Sequence, residues 1–296
     1  MMNNEQLDRI RNAAGFVAAL DQSGGSTPAA LMAYGVNSAA FSGDDEMFDL
    51  IHEMRTRIIT SLSFTGDKII GVILFEDTMD RTVDGRPTAQ YLWDEKAIVP
   101  ILKVDNGLAD ESHGVQLMKP MPRLDTRLSE AKAKGIFGTK MRAVIHTSDV
   151  EGIHRVVAQQ FDVANQIITG GLCPIIELEV DIHSPHKSQA EDLLDTAIAE
   201  HLDRLDDQQM IMLKLTIPTV INRYSNLIAH PNVVRCFALS GGYRQADAVR
   251  LLEKNHGMVA SFSRALLEGL TVDQSNADFQ VTLRQSIEAI YAASVN

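Results

Sequence analysis

The feature that most limits the fold is a regular alternation. Eight short apolar runs, each bounded by Gly, Pro or Asp, recur at 15–23, 68–78, 98–105, 136–144, 173–180, 209–217, 233–240 and 258–264. Between them lie stretches with apolar residues at i, i+3, i+4 and i+7, including 45–60, 151–169, 189–205 and 244–253, and a last one at 277–293. Buried strands alternating with amphipathic helices are the pattern of a parallel sheet joined by crossover helices. Eight such units fit a closed (β/α)8 TIM barrel better than an open doubly wound sheet, which commonly has about five or six strands. Barrels of this kind use about 250 residues as one domain. No Pro/Ser-rich linker, low-complexity tract or tandem repeat divides the chain, so residues 1–296 are expected to form a single barrel domain of the α/β class. The longest stretch without a strand or helix pattern, 105–124, is expected to be a mobile loop near the active face.

Charge and cysteine usage narrow the setting. Lys and Arg total 27 against 39 Asp and Glu, and a net charge of -12 argues against nucleic acid or acidic lipid as the main partner. The opening MMNNEQLDRIRNAAG has charges throughout and no apolar h-region, and no window approaches the ~18 apolar residues that span a bilayer, so a cytoplasmic protein is expected. Cys173 and Cys236 sit in the apolar runs LCPII and VVRCFAL without a C-x-x-C partner, and are expected to be buried thiols.

Parallel barrel strands should be almost continuously apolar. Four successive ones here are not: they read ILKVD, GTKMR, IIELE and MLKLT. Because side chains alternate faces along a strand, Lys103 with Asp105, Lys140 with Arg142, and Glu177 with Glu179 form same-face pairs, separated by apolar Val104, Met141 and Leu178. The apolar members then face the helices, and the charged members point into the C-terminal mouth, where barrel enzymes hold their chemistry. Any one such residue could belong to a structural ion pair. Four consecutive strands carrying charge are hard to explain as stabilisation, because interior ion pairs cost desolvation energy. Lys214, in MIMLKLTIP, has no carboxylate near it in sequence, and burial favours the neutral amine that attack on a carbonyl requires. The competing structural reading pairs Lys214 with Glu177 or Glu179 across the barrel.

Two glycine turns suggest phosphate binding. After the seventh run, Ser240, Gly241 and Gly242 lead into a helix, and glycine lets backbone N–H groups and the helix dipole approach an anion. Arg264, at the end of the eighth run, is placed to close on the same phosphate with a planar fork of donors. After the first run, ALDQSGGS supplies a second such turn with Ser23 and Ser26. Two anion turns on one mouth imply a substrate with phosphate at both ends.

These segments, ALDQSGGS, GVILFEDTMD, LKVDNGL, FGTKMR, PIIELEV, MLKLTIP, LSGGY and ASFSRAL, come one per strand, and the ordered set resembles the class I fructose-bisphosphate aldolases, particularly their shorter bacterial branch. The resemblance covers nearly the whole chain. It implies reversible cleavage of fructose 1,6-bisphosphate to dihydroxyacetone phosphate and glyceraldehyde 3-phosphate, without metal or other cofactor. It further implies that Lys214 forms the iminium and that Glu177 exchanges protons as the carbinolamine dehydrates. Asp21, with Lys140 beside it, would take the C4 hydroxyl proton. Ser240, Gly241, Gly242 and Arg264 resemble the site for the C1 phosphate; Ser23, Ser26, Lys103 and Arg142 resemble groups near the opposite one. ELE stands where many relatives have Glu-Pro-Glu, and KLT where larger animal enzymes have Lys-Pro-Asn, and the inward side chains are expected to keep their parity. The paired basic residues that some relatives carry after the first strand have no clear counterpart, and the ending YAASVN gives Tyr291 no claim to the terminal tyrosine role of animal enzymes.

Three other readings compete. A metal-dependent aldolase would need converging histidines, and HSPH offers only His183 and His186, a pair more often solvated. A Schiff-base aldolase for tagatose 1,6-bisphosphate or fructose 1-phosphate would differ by hydrogen-bond placement that spacing does not reveal. A non-catalytic phosphosugar-binding scaffold would keep the anion turns without needing Lys214, Glu177 and Asp21 together. The expected partner is a small phosphosugar, with homo-oligomerisation left open.

Overall fold

A computed structural model describes residues 3–295. Its eight barrel strands are β1 (Phe16–Leu20), β2 (Ile69–Leu74), β3 (Val99–Lys103), β4 (Gly138–Ile145), β5 (Cys173–Val180), β6 (Ile211–Thr216), β7 (Val233–Leu239) and β8 (Met258–Ala260). Each pairs parallel with the next in sequence order. The ring is nearly closed where β8 meets β1: Ala19 N–H donates to the Phe262 carbonyl at 3.1 Å, just past the end of β8. All eight apolar runs therefore become strands, the outermost residues of several passing into the loops at the mouth.

The crossover helices form where apolar spacing and end groups agree. Helix Val150–Thr169 starts at Asp149, whose carboxylate accepts from Gly152 N at 2.8 Å, and buries Ile153, Val156, Val157, Phe161 and Ala164 along one face. Helix Asn276–Ser294 starts at Ser275 in the same way and runs beside β8 and β1. The main core lies between strands and helices, and a smaller apolar cluster, including Val17, Ile70, Val99, Ile175 and Met212, fills the barrel interior.

Helix Asn4–Asn12, which carries no strong sequence signal, plugs the N-terminal end of the barrel. Its Ile10 joins the interior cluster, and Arg235 of β7 donates to the carbonyls of Arg11 (2.6 Å) and Ala13 (3.3 Å) at the helix C-terminus, where a cation is favoured. Tyr291 also lies at this end, its ring 5.9 Å from Nζ of Lys68, the residue before β2. It is at the opposite end of the barrel from the mouth.

The 105–124 stretch is tied down along its length. Its short strand Val115–Gln116 pairs antiparallel with the end of β4. Gln159 donates to Met118 O at 3.0 Å and accepts from Met118 N at 2.8 Å. No helix of the described residues is long and apolar enough to cross a membrane, and both cysteines are free and buried.

Candidate active site

Each of four neighbouring strands changes character halfway up its inward face. On β3, Val99 and Ile101 fill the interior and Lys103 follows; on β5, Cys173 and Ile175 are followed by Glu177 and Glu179; on β6, Met212 is followed by Lys214. On β4 the inward pair is Lys140 and Arg142. The intervening Leu102, Met141, Leu178 and Leu213 belong to the outer core. Strand parity is thus kept despite the ELE and KLT departures. The charges converge at the C-terminal mouth, on a cavity of about 900 Å³ that all twelve candidate residues line: Asp21, Ser23, Ser26, Lys103, Lys140, Arg142, Glu177, Lys214, Ser240, Gly241, Gly242 and Arg264.

Register sets the centre of the cluster. Glu177 and Lys214 are direct partners across β5 and β6, and Lys214 Nζ lies 3.1 Å from Glu177 Oε1. Lys140 Nζ contacts the other carboxylate oxygen at 3.0 Å and Asp21 Oδ2 at 2.7 Å. Glu177 Oε2 has ion-pair proximity to Lys140 without hydrogen-bond geometry. Lys214 is thus paired with Glu177, as the structural reading requires, yet it also opens onto a ketose-sized cavity, which that reading does not need.

Lys140, Glu177 and Lys214 are nearly inaccessible to water and the Asp21 side chain is largely buried, and burial works against the charged form of an ionisable group. Burial pushes the Asp21 carboxyl up, but Lys140, Lys214 and Lys103 outweigh it and hold Asp21 well below the usual carboxylate range. Glu177 is also pushed up by burial and brought below its ordinary value by Lys140 and Lys214. Lys140 is pulled down by burial, but Asp21, Glu177 and Asp105 raise it well above an ordinary lysine, so it stays cationic.

Lys103 and Arg142 are held by carboxylates of their own. Lys103 donates to Asp105 Oδ1 at 2.6 Å, and burial keeps its amine below the ordinary value. Arg142 Nε donates to Glu179 Oε2 at 2.7 Å. Asp105 also accepts from Gly107 N and Arg142 N, which fixes it at the root of the 105–124 stretch.

The two glycine turns stand on either side. Gly241 (φ 57°) and Gly242 (φ 108°) adopt backbone that other residues rarely reach. A Cβ on Gly242 would come within 3.6 Å of Arg264 Nη2, so Arg264 and the turn face each other. Tyr243 and Arg244 intervene before helix Gln245–Leu252, so the turn does not run directly into the helix. In the other turn, the Ser26 hydroxyl accepts from Ser23 N at 2.9 Å and donates to Ser23 O at 2.8 Å, closing the loop after β1. His183 and His186 are exposed, and among the described residues no group of three or more His, Cys, Asp or Glu is arranged to hold a metal ion.

Sequence reasoning missed three residues of this end of the barrel: Gln22, Arg55 and Ser263. Arg55 could have been found, since it falls on the apolar face of its helix with Met47, Ile51, Met54 and Ile58. Gln22 and Ser263 lie within ALDQSGGS and ASFSRAL, but nothing local marks their pairing across 241 residues of chain.

Fold and mouth together define the class: a (β/α)8 barrel enzyme with its ionisable groups gathered at the C-terminal face. The chain belongs to the class-I fructose-bisphosphate aldolase family, whose model matches residues 45–221. It is 60% identical over 293 residues to the fructose-bisphosphate aldolase class 1 of Synechocystis sp., covering 99% of this chain and 98% of that protein. It is 54% identical to the corresponding Porphyromonas gingivalis protein, covering 99% and 100%. The fructose-bisphosphate aldolase of Plasmodium falciparum shares the fold at a TM-score of 0.75 and 20% identity, over 98% of this chain and 92% of that one. An archaeal fructose 1,6-bisphosphate aldolase does so at 0.56 and 14% identity, over 97% and 98%.

Proposed function

We propose that residues 1–296 act as one catalytic barrel that reversibly cleaves fructose 1,6-bisphosphate to dihydroxyacetone phosphate and glyceraldehyde 3-phosphate through a Schiff base on Lys214. The observation that carries this reading is the carboxylate of Glu177 held between Lys214 and Lys140, with Asp21 on the far side of Lys140.

The proton balance follows from that arrangement. Glu177 starts ionised and accepts a proton from Lys214, freeing the amine to attack the C2 carbonyl. The protonated Glu177 then delivers that proton to the carbinolamine hydroxyl, which leaves as water and gives the iminium. Asp21, also ionised, removes the C4 hydroxyl proton. The C3–C4 bond breaks, its electron pair moves into the iminium to form an enamine, and the aldehyde departs. The proton taken up by Asp21 is returned to C3 of the enamine, which restores the carboxylate, and addition of water to the iminium releases the ketone and restores Lys214. Lys140 remains charged throughout and balances the two carboxylates.

In this reading the turn at Ser240, Gly241 and Gly242, with Arg264, receives the C1 phosphate. Ser23, Ser26, Lys103 and Arg142 receive the other, displacing Asp105 and Glu179 from their cations. A cytoplasmic location agrees with the free thiols.

The test is borohydride reduction in the presence of the ketose bisphosphate, followed by peptide mass spectrometry. A triose- or hexose-sized adduct on the Lys214 peptide supports the reading. An adduct on another lysine, or none at saturating substrate, defeats it.

A further inference from the structure

Among the described residues, Arg55 is buried without the carboxylate partner that a buried cation usually has. It is 0% exposed on helix Asp44–Ile59. Among the described residues its hydrogen bonds go only to neutral acceptors, and its Nε has none. Burial lowers its pKa to about 10, although the fields of Asp21 and Asp77 favour the charge. Neutral acceptors only partly offset the desolvation of a guanidinium, and an apolar side chain of similar volume would serve packing as well. What Arg55 holds in place is therefore the better guide to its role.

Nη1 donates to Thr78 Oγ1 at 2.6 Å, on the short helix Glu76–Asp80 that follows β2. Nη2 donates to the Gln22 carbonyl at 2.5 Å and reaches the Gln22 side-chain oxygen at 3.4 Å. The other end of that amide, Gln22 Nε2, donates to Ser263 Oγ at 2.7 Å. Gln22 follows Asp21, and Ser263 precedes Arg264. The path therefore crosses the seam between β8 and β1, just above the main-chain bond from Ala19 to Phe262.

We propose that Arg55 is a positioning residue for the cleavage step: through Gln22 and Ser263 it sets Asp21 relative to Arg264, and so the C4 hydroxyl base relative to the C1 phosphate clamp. This rests on the roles given to Asp21 and Arg264 above. A planar fork reaches Thr78 and Gln22 together, whereas the single point of a lysine ammonium reaches them poorly. Lys214 and Glu177 stand on β6 and β5, outside the bridge, so imine formation should be spared.

The experiment compares Arg55→Met, Gln22→Leu and the double variant in the full-length enzyme, measuring kcat and KM for fructose 1,6-bisphosphate and the rate of borohydride-trapped adduct on Lys214. The expected result is roughly a 10- to 100-fold loss of kcat in each single variant, the size that a displacement of about 1 Å produces. Adduct formation at saturating substrate should be near normal, and the double variant no worse than the poorer single one. Arg55→Lys should recover little. Multiplying losses in the double variant, or unchanged kcat in Gln22→Leu, would overturn the proposal. If Arg55→Met does not fold, Gln22→Leu and Ser263→Ala, alone and combined, carry the same test. Absence of adduct in the unaltered enzyme would instead defeat the proposed function.

Discussion

At the scale of single residues, the mouth is a problem in charge balance. Lys140 contacts Asp21 and Glu177 directly and lies 3.9 Å from Asp105. Removing it leaves buried carboxylates facing one another, so Lys140→Met should destabilise the protein by about 3–5 kcal/mol at neutral pH. The pH dependence has a definite sign. Asp21, Asp105 and Glu177 are held below their ordinary values, so their contribution is complete above the unfolded carboxylate range of about 4. It is lost as pH falls through the depressed values. Lys140, held high, contributes fully below about 10.4 and is lost only as pH rises through its raised value. Lys103, lowered by burial, has the opposite sign and gains stability as pH rises toward its unfolded value. Urea unfolding across the acid range should show stability dropping below about pH 4 in the unaltered protein. In Lys140→Met the plateau should be lower and the acid slope shallower; an unchanged slope would mean that Lys140 does not set the carboxylates. A second residue prediction separates the two acids: Asp21→Asn should still give the Lys214 adduct while cleavage falls by about 10² to 10⁴. Parallel loss of adduct and cleavage would remove Asp21 from the C4 step. These charges were legible because a charged same-face pair on a barrel strand has few places to point. Arg55 was overlooked although its apolar-face position marks it, because a single arginine on a helix otherwise rich in surface charge reads as solvated.

At the scale of elements, the ends of β5 and β6 need explanation, because Glu177 and Lys214 sit just below them. Main-chain pairing between the two strands extends to Leu178 and Leu215. Beyond that, the buried Thr216 hydroxyl takes over, accepting from Val180 N and donating to Val180 O, both at 2.8 Å. Thr216→Val has nearly the same shape but leaves both Val180 groups unpaired in the interior. The expected cost is about 2 kcal/mol in urea unfolding, with lower kcat as the strand ends loosen. A neutral result would mean that water or a shift in register satisfies Val180. The glycine turn after β7 gives a sharper separation of binding from stability. Gly241→Ala puts a Cβ 2.9 Å from Ile182 Cγ2 at a positive φ, so KM for the bisphosphate should rise at least several-fold. Unchanged KM with the fold intact would place the C1 phosphate elsewhere. Among the described residues, each helix of sixteen or more residues announced itself by period, and β8 survives as a strand of three residues because it lies between β7 and the closing seam. The plug Asn4–Asn12 did not announce itself: its charges dominate the pattern, and only Ile10 and Gln6 are fully buried, with Leu7 half-buried against the interior cluster.

At the scale of the whole molecule, a net charge of -12 surrounds a mouth that is balanced. Lys103, Lys140, Arg142 and Lys214 stand against Asp21, Asp105, Glu177 and Glu179, four on each side, with Arg264 in excess at the cavity wall. The overall charge therefore says what the surface repels and nothing of what the cavity takes. Order along the chain was the more informative global property, since one motif per strand becomes one ring of side chains only when the strands pair in sequence order, as they do. Closure of that ring was expected from the count of eight units, but the particular contacts that make it were out of reach of pattern reading, because they join residues at the two ends of the barrel sequence. The proposed Schiff base on Lys214 predicts that an amine, and not a metal, is the electron sink. If Lys214 supplies the iminium, the electrons released at C3 have somewhere to go without a Lewis acid, and chelation should not matter. Prolonged EDTA treatment should leave kcat for fructose 1,6-bisphosphate within about two-fold, while borohydride inactivates only when the ketose is present. Loss of activity in EDTA with recovery on adding a divalent metal would require a metal-bound enolate instead, and with it a set of ligands other than the residues gathered around Lys214.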